Sequence, residues 1–190
     1  MHIGSIVLLI FGITALGYAI AIYNGLVSLK HNVRRAWANI DVLLKQRHDE
    51  LPKLVEICKQ YMLHERDTLT KVSAARATLF AANERGDIAA VGASEGDLRR
   101  GLGQLYAAVE NYPELKADQQ FRHLRDRITT LENTIADRRE YYNEAVTLNN
   151  IRIETFPDVL LARWFAFRMQ APLEFGAAQT QDVNVQALFG

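Results

Sequence analysis

The sequence predicts an all-α protein in which one N-terminal transmembrane helix continues into an elongated antiparallel bundle of three to four helices. The chain opens with a long apolar run that carries no charge, and its later part repeats apolar residues at helical intervals. No stretch alternates with the period of a strand for long enough to indicate a sheet. The predicted domains are a transmembrane helix at 1–23, a helical-bundle domain at 24–169 and an irregular tail at 170–190.

Residues 3–22 form the predicted transmembrane helix. They read IGSIVLLIFGITALGYAIAI without a charged residue, and at about 1.5 Å per residue they span about 30 Å, the thickness of a bilayer's hydrocarbon core. A cleaved signal peptide is the alternative, since residues 19–21 resemble a cleavage triplet, but no basic segment precedes the run. Lys30, Arg34 and Arg35 follow it, so the positive-inside rule predicts an N-terminus outside and a cytoplasmic bundle.

A heptad face follows the span. Its members recur every seven residues in two series, Leu26, Val33, Ile40, Arg47, Leu54 and Tyr61, and Trp37, Leu44, Leu51 and Cys58, with Val72 and Leu79 resuming the second series later. This spacing predicts a coiled-coil-like helix to about Asn83. Pro52 lies inside it, and because the phase continues past the proline we predict a kink or a tight restart there. Cys58, the single cysteine, is predicted to be a small buried hydrophobe.

The second half of the chain alternates breaks and helices. Glycines predict a loop or a frayed hairpin tip at residues 86–94, and a short helix is predicted at 98–112. Apolar steps of three and four then predict a second long helix over residues 117–156. Pro157 is expected to end or kink it, and residues 158–169 are predicted to form a short, aromatic-rich helix.

The charge pattern bears on partners. The chain has 22 basic and 22 acidic residues, so we expect no nucleic-acid partner. Residues 23–85 carry a net charge of +4 and residues 86–190 a net charge of −4. The two halves can attract each other within one chain or between neighbouring copies. An exposed heptad face needs a cover, so we predict a homo-oligomer, with membrane lipid around residues 3–22 and other membrane proteins as further candidate partners.

Two charged residues interrupt the heptad face and mark the candidate site. Arg47 and Glu65 occupy positions where apolar residues are expected, and burial without a partner would be costly. Their candidate partners on the facing helix are Arg138, Asn143 and Asn149. We predict a buried polar group that fixes the register of helix pairing, with a ligand site as the alternative.

The sequence shows no set of residues typical of an active site. His64-Glu65 resembles the start of the zinc motif HExxH, but Thr68 stands where the second histidine is needed, so no metal site is predicted. No glycine-rich phosphate loop or nucleophile elbow occurs either. We therefore predict no enzymatic activity and no cofactor, and keep an enzyme using His64, Glu65 and Arg47 as an alternative.

Several stretches together resemble a known family. They are residues 23–27 (YNGLV), 33–47 (VRRAWANIDVLLKQR) and 51–55 (LPKLV), Tyr61 with His64-Glu65, Ala75-Arg76, Tyr142-Asn143, Asn149 and Phe156-Pro157. In these stretches the chain resembles the LemA family of bacterial membrane proteins. The resemblance implies a long antiparallel helical bundle behind one transmembrane helix of the inner (cell) membrane, with no accepted enzymatic activity or cofactor. One magnetosome branch is linked to membrane invagination, which by analogy implies a scaffold.

The leading functional hypothesis is a membrane-anchored, non-enzymatic scaffold that self-associates and organises or shapes the inner membrane. A signalling or sensing adaptor, in which a kink at Pro52 transmits changes across the membrane, is the alternative from another class.

Overall fold

The computed structural model describes residues 3–175, and every regular element in that range is an α-helix. The helices are α1 (Ile3–Tyr61), α2 (Arg66–Glu84), α3 (Ile88–Val109), α4 (Pro113–Ala117), α5 (Gln119–Glu154) and α6 (Asp158–Trp164). The predicted all-α class is therefore confirmed. There are more helices than the predicted three to four, because a turn divides the first long helix and a short helix precedes α5.

The described residues form two compact units. The span unit contains residues 3–38 and 140–172, and the hairpin unit contains residues 39–139 and 173–175. The long helices α1 and α5 each supply residues to both units. The domain boundaries at 23 and 169 remain predictions.

Helix α1 is unbroken from Ile3 to Tyr61, so the apolar run and the heptad face as far as Tyr61 belong to one helix, as predicted. Among the described residues, α1 contains the one segment that is long and apolar enough to cross a membrane, with a mean hydropathy of 2.4. Side chains of this segment are almost all exposed. Beyond it, the predicted face is buried at Leu26, Val33, Ile40, Leu44, Arg47, Leu51, Leu54 and Cys58.

The first long helix ends earlier than predicted. Helix α1 stops at Tyr61 rather than near Asn83, and a turn leads into α2 at Arg66. In this turn the amide of Met62 donates to the Cys58 carbonyl at 2.8 Å, and the amide of Leu69 donates to the Glu65 carbonyl at 3.2 Å. The turn contains neither glycine nor proline, and buried apolar residues continue on its far side. The spacing pattern therefore gave no sign of the break.

Helices α2 and α3 form a hairpin whose tip is shorter than predicted. Gly86 has a φ of 66° and ends α2, because an L side chain is disfavoured in that conformation. Asp87 then caps α3, its carboxylate accepting a hydrogen bond from the Ala90 amide at 3.0 Å. The helix end at Gly86 is confirmed, whereas the loop predicted to about Ser94 is helical, and so is Leu98 in the same helix.

The later helices agree with the sequence within a few residues. Helix α5 begins two residues after the predicted start, where Asp118 accepts from the Phe121 amide at 2.8 Å, and it ends at Glu154. Helix α6 ends at Trp164 instead of Met169. The reason is local, since Ala166 adopts a φ of 54° and ends the helical ladder. Residues 170–175 belong to no helix or strand, and the rest of the predicted tail lies outside the described residues.

Candidate functional site

Arg47 is the largest fully buried side chain in residues 3–175. Arg47 belongs to α1, and its guanidinium pairs with the carboxylate of Glu95 in α3. The side chain of Glu95 is also completely buried. Arg47 Nη1 donates to Glu95 Oε1 at 2.8 Å, and Nη2 donates to Oε2. This two-pronged geometry is the strongest form of ion pair and ties the two helices in one register.

Two further residues complete a buried ion cluster, defined here as Arg47, Glu95, Arg99 and Glu132. Arg99, one turn after Glu95 in α3, donates from Nε to Glu95 Oε1 at 3.1 Å and from Nη2 to the Glu132 carbonyl at 3.3 Å. The Glu132 carboxylate in α5 lies 3.9 Å from Arg47 Nη1. The cluster holds two positive and two negative side chains and links α1, α3 and α5.

At Arg47 and Glu95 the ion pair affects the pKa more strongly than burial does. Desolvation acts to raise the pKa of Glu95, but the charges and hydrogen bonds of Arg47 and Arg99 hold that pKa below its usual value. Desolvation acts to lower the pKa of Arg47, and Glu95 followed by Glu132 reverses the shift and raises it. Both groups are consequently ionised at neutral pH.

Glu132 has the opposite electrostatic behaviour. Burial raises the pKa of its carboxyl group, and the opposing charges of Arg47 and Arg99 do not cancel that effect. Its Oε1 and the nearby hydroxyl of Tyr106 are buried, and neither makes a hydrogen bond to a described residue. Burial, aided by the charge of Glu132, also raises the pKa of Tyr106, so the phenol stays neutral. On acidification Glu132 is therefore the first member of the cluster to take up a proton.

Pro52 lies within the continuous helix α1, so the predicted tight restart is absent. Proline has no amide hydrogen, and the carbonyl four residues earlier, that of His48, loses its helical donor. Arg76 in α2 replaces it, donating from Nη1 to the His48 carbonyl at 3.3 Å. The proline gap thus becomes a docking point between α1 and α2. The His48 ring also stacks on Phe80, with ring centroids 4.2 Å apart.

The partner with which Arg47 makes its bidentate pair, Glu95, is not among the candidates named from the sequence. Asn143 and Asn149 belong to the span unit, where Asn149 is buried and donates to Asn150 Oδ1 at 3.2 Å. Arg138 is exposed. The actual partner, Glu95, lies between the loop predicted at residues 86–94 and the helix predicted at residues 98–112, so it was not considered as a helix residue. The spacing of Glu95 and Arg99, one helical turn apart, was the signal that could have revealed it.

The residues of the enzyme alternative are not brought together. Glu65 is half-buried at the start of α2 and makes no capping hydrogen bond, and His64 is exposed in the preceding turn. Arg47, by contrast, is enclosed with Glu95. Residues 3–175 contain no group of three or more His, Cys, Asp or Glu side chains that could hold a metal ion. Cys58 is buried as predicted, and desolvation raises the pKa of its thiol to about 12, which makes it a poor nucleophile.

Residues 173–175 pack on α3 and α5 beside the cluster. Leu173 is buried, and the Glu174 carbonyl lies against Gly92 so closely that a Cβ there would be 2.0 Å from the oxygen. The centroid of the Phe175 ring lies 5.0 Å from the guanidinium carbon of Arg99 and 4.4 Å from that of Arg139. Gly92 is therefore needed for close packing, which explains its place inside a helix.

Comparison with known proteins agrees with the resemblance. Residues 36–187 match the LemA family. The magnetosome proteins MamQ 1 and MamQ 2 of Paramagnetospirillum magneticum are each 25% identical to the chain over 158 residues, which cover 71% of the chain and 58% of each relative. The magnetosome protein MamQ of Magnetospirillum gryphiswaldense is 22% identical over 169 residues, covering 77% of the chain and 62% of the relative. The chain thus spans less than two thirds of the length of these curated relatives, and its match with the family model, which extends over most of its residues, shows that it belongs to the LemA family.

Proposed function

We propose that this chain is a membrane-anchored, non-enzymatic scaffold that associates with copies of itself and organises the inner membrane. The observation that carries the proposal is the continuity of α1. One helix contains both the apolar segment and the packed heptad face, so no flexible linker separates anchor from bundle. An anchor of this kind restricts the orientation of the protein at the membrane, which favours ordered assembly.

The buried ion cluster supports a structural role for the bundle. Its strongest pair, Arg47 and Glu95, has no exposed surface, so neither side chain is available to a substrate. Buried charges paired in this way specify which helices associate and in which register. The relatives are named as magnetosome proteins, which is compatible with a scaffold at a membrane.

An exposed stripe on α5 supports self-association. Tyr141, Leu148 and Ile151 are each more than half exposed and are separated by steps of seven and three, which places them on one side of the helix. A stripe with this spacing fits against a second helix. We propose that the same stripe of another copy covers it.

The orientation of the anchor follows from charge. Lys30, Arg34 and Arg35 come after the apolar segment, and the positive-inside rule then places the bundle in the cytoplasm. Protease digestion of intact spheroplasts tests this orientation. We expect the bundle to be protected until the membrane is opened, and digestion of the bundle from outside would contradict the proposal.

Cysteine crosslinking tests self-association. Leu148→Cys places a reactive thiol on the stripe. The native Cys58 is buried and its thiol pKa is raised, so it should not form crosslinks. We expect oxidation in native membranes to give a covalent dimer of this variant. Val42→Cys, at an exposed apolar position of the hairpin unit, is the matched control and should remain monomeric.

Mass measurement completes the test. Light scattering in mild detergent should show an oligomer for the parent chain and a smaller species for Leu148→Arg. Monomers at every concentration, together with equal crosslinking of the two cysteine variants, would contradict self-association.

A further inference from the structure

The end of the apolar segment is covered by the protein itself. Ile22 and Leu26 are buried in a small core together with Ile153 of α5 and Ala162 of α6. Leu161 and Phe167 pack against the same core. Helix α6 therefore lies beside the last turn of the apolar segment, where a helix that crosses a bilayer leaves the hydrocarbon core.

The outer side of this region is apolar and has no cover among the described residues. Leu160 and Trp164 lie one turn apart on α6 and are 60% and 83% exposed, and Phe156, in the turn before α6, is 76% exposed. Phe165, the next residue, is half exposed as well. We call these four residues the α6 face. Large apolar side chains exposed together in so short a segment indicate an interaction site.

Aromatic rings continue from the α6 face to α1. The ring of Tyr23 lies 4.7 Å from that of Phe165 and 6.0 Å from that of Phe167, measured between centroids. The Lys30 ammonium lies 5.7 Å from the centroid of Phe167. Tyrosine and tryptophan concentrate where the hydrocarbon core of a membrane meets its headgroups, because the ring is apolar and its polar edge is hydrated.

Within residues 155–170 the exposed charged side chains are basic, and Glu154 is the exposed acidic residue that precedes them. Between residues 155 and 170 the charged side chains are Asp158, Arg163 and Arg168. Asp158 is buried and paired with Arg152, whereas Arg163 and Arg168 are exposed. Basic residues flanking an apolar face favour a surface of anionic lipid.

We propose that the α6 face lies in the interfacial layer of the membrane, with its apolar side chains among the upper acyl chains and with Arg163 and Arg168 at anionic headgroups. Lipid is the occupant because Tyr23, the residue directly after the apolar segment, packs its ring on Phe165 of the α6 face, so the α6 face adjoins the end of that segment. Lipid is not assigned to the α5 stripe. Tyr142, the chain neighbour of Tyr141 in that stripe, packs on Trp37, which lies about 22 Å beyond Ile22 along α1. This inference rests on the anchoring part of the proposed function.

Tryptophan fluorescence tests the proposal, because the chain has two tryptophans. Trp37→Phe leaves Trp164 as the reporter of the α6 face, and Trp164→Phe leaves Trp37 as the matched control. Each full-length variant is reconstituted into vesicles of phosphatidylethanolamine and phosphatidylglycerol, with bromine on shallow or deep acyl positions. We expect the shallow bromines to remove most of the Trp164 emission, deep bromines to remove less, and Trp37 to respond to neither.

An aqueous quencher separates the remaining outcomes. Trp164 that is quenched by acrylamide but not by brominated lipid would be in water, and Trp164 that is shielded from both would be covered by protein, such as a second copy. Either result would overturn the proposal. Flotation of the same vesicles distinguishes these failures from a failure of anchoring, since a chain that does not float with lipid has no working anchor.

A charge variant adds an independent readout. Replacing Arg163 and Arg168 together by glutamine should weaken shallow quenching of Trp164 in anionic vesicles and leave it unchanged in neutral phosphatidylcholine vesicles. An equal change in both vesicle types would show that these arginines act on folding rather than on headgroups.

Discussion

The two units of this protein distribute polarity in opposite ways. Nearly all described large apolar side chains that are exposed belong to the span unit, the exceptions being Val42 and Leu63. The buried charged residues belong instead mainly to the hairpin unit, which contains Arg47, Glu50 and Glu95. Asp158 is the buried charge of the span unit.

This contrast indicates that the units are adapted to different surroundings. An apolar surface is stable against lipid, whereas in water it is a liability unless a partner covers it. A unit surrounded by water can bury charge only where each charge is paired. Some of the glycines differ between the units as well, although Gly86 and Gly103 of the hairpin unit are as open as those of the span. Gly4, Gly12 and Gly17 of the span have no neighbour within 4 Å, whereas Gly92 and Gly101 of the hairpin unit allow close packing.

The largest expected change in stability comes from breaking the buried Arg47–Glu95 pair of the hairpin unit. Glu95→Ala leaves Arg47 buried without its partner, which we expect to lower the free energy of unfolding by about 3–5 kcal/mol. Denaturation in detergent followed by circular dichroism measures it. Asp97→Ala removes the exposed Asp97–Arg100 pair from the same helix and should change stability by less than about 1 kcal/mol.

The double variant Arg47→Met, Glu95→Leu sharpens that result. Because it removes both charges and keeps the volume apolar, it should recover most of the stability lost in Glu95→Ala. If the double variant is as unstable as Glu95→Ala, the loss of stability does not come from the unpaired charge of Arg47, and apolar side chains cannot replace the pair in the packing.

The next effect tests close packing in the hairpin unit. Gly92→Ala places a methyl group on the Glu174 carbonyl, so residues 173–175 must move, and we expect a loss of about 1–3 kcal/mol. Gly103→Ala, in the same helix with nothing within 4 Å, is the control and should gain up to about 1 kcal/mol from helix propensity. Equal effects at both glycines would contradict the packing role of Gly92.

A smaller effect is expected at the proline gap. Arg76→Ala should cost about 1.5 kcal/mol, the lower end for a charged donor, because Arg76 is only half-buried. In a Pro52→Ala background the His48 carbonyl regains its helical donor, and the same arginine change should then cost much less. The double-mutant cycle measures this coupling, and additive effects would rule out the compensation.

The smallest expected effect concerns pH and Glu132. Since burial raises the folded-state pKa of Glu132 above its unfolded value, its carboxylate opposes folding at neutral pH, and this penalty disappears as the pH falls through the folded-state pKa. Glu132→Gln should therefore raise the melting temperature at neutral pH, with the gain shrinking on acidification. A lower melting temperature at neutral pH would mean that its contact with Arg47 dominates.

The sequence predicted what depends on local spacing and missed what depends on tertiary contact. The bounds of α5 follow from apolar periodicity, and the turn at Gly86 follows from the conformational preference of glycine. The turn before α2 was missed because the apolar spacing continues across it. Gly92 was assigned to a loop because the reason for a glycine at that position, the close approach of Glu174, lies more than eighty residues away in the chain.

The candidate site was half predictable. The heptad face showed that Arg47 stands where an apolar residue is expected. A buried arginine needs a partner inside the protein, so a partner could be predicted. It contained no information on which acidic residue that partner is, because a helix pattern specifies a face and not the register of the helix that packs on it. Glu95 is assigned only once α3 is placed.

The pairing of Pro52 with Arg76 also constrains how the sequence can change over generations. If the arginine is lost first, the His48 carbonyl has no donor and the protein is weakened. If the proline is lost first, the helix supplies its own donor and the arginine becomes free to vary. The two positions are thus linked by a preferred order of replacement, and a lineage that retains the proline is expected to retain a donor at position 76.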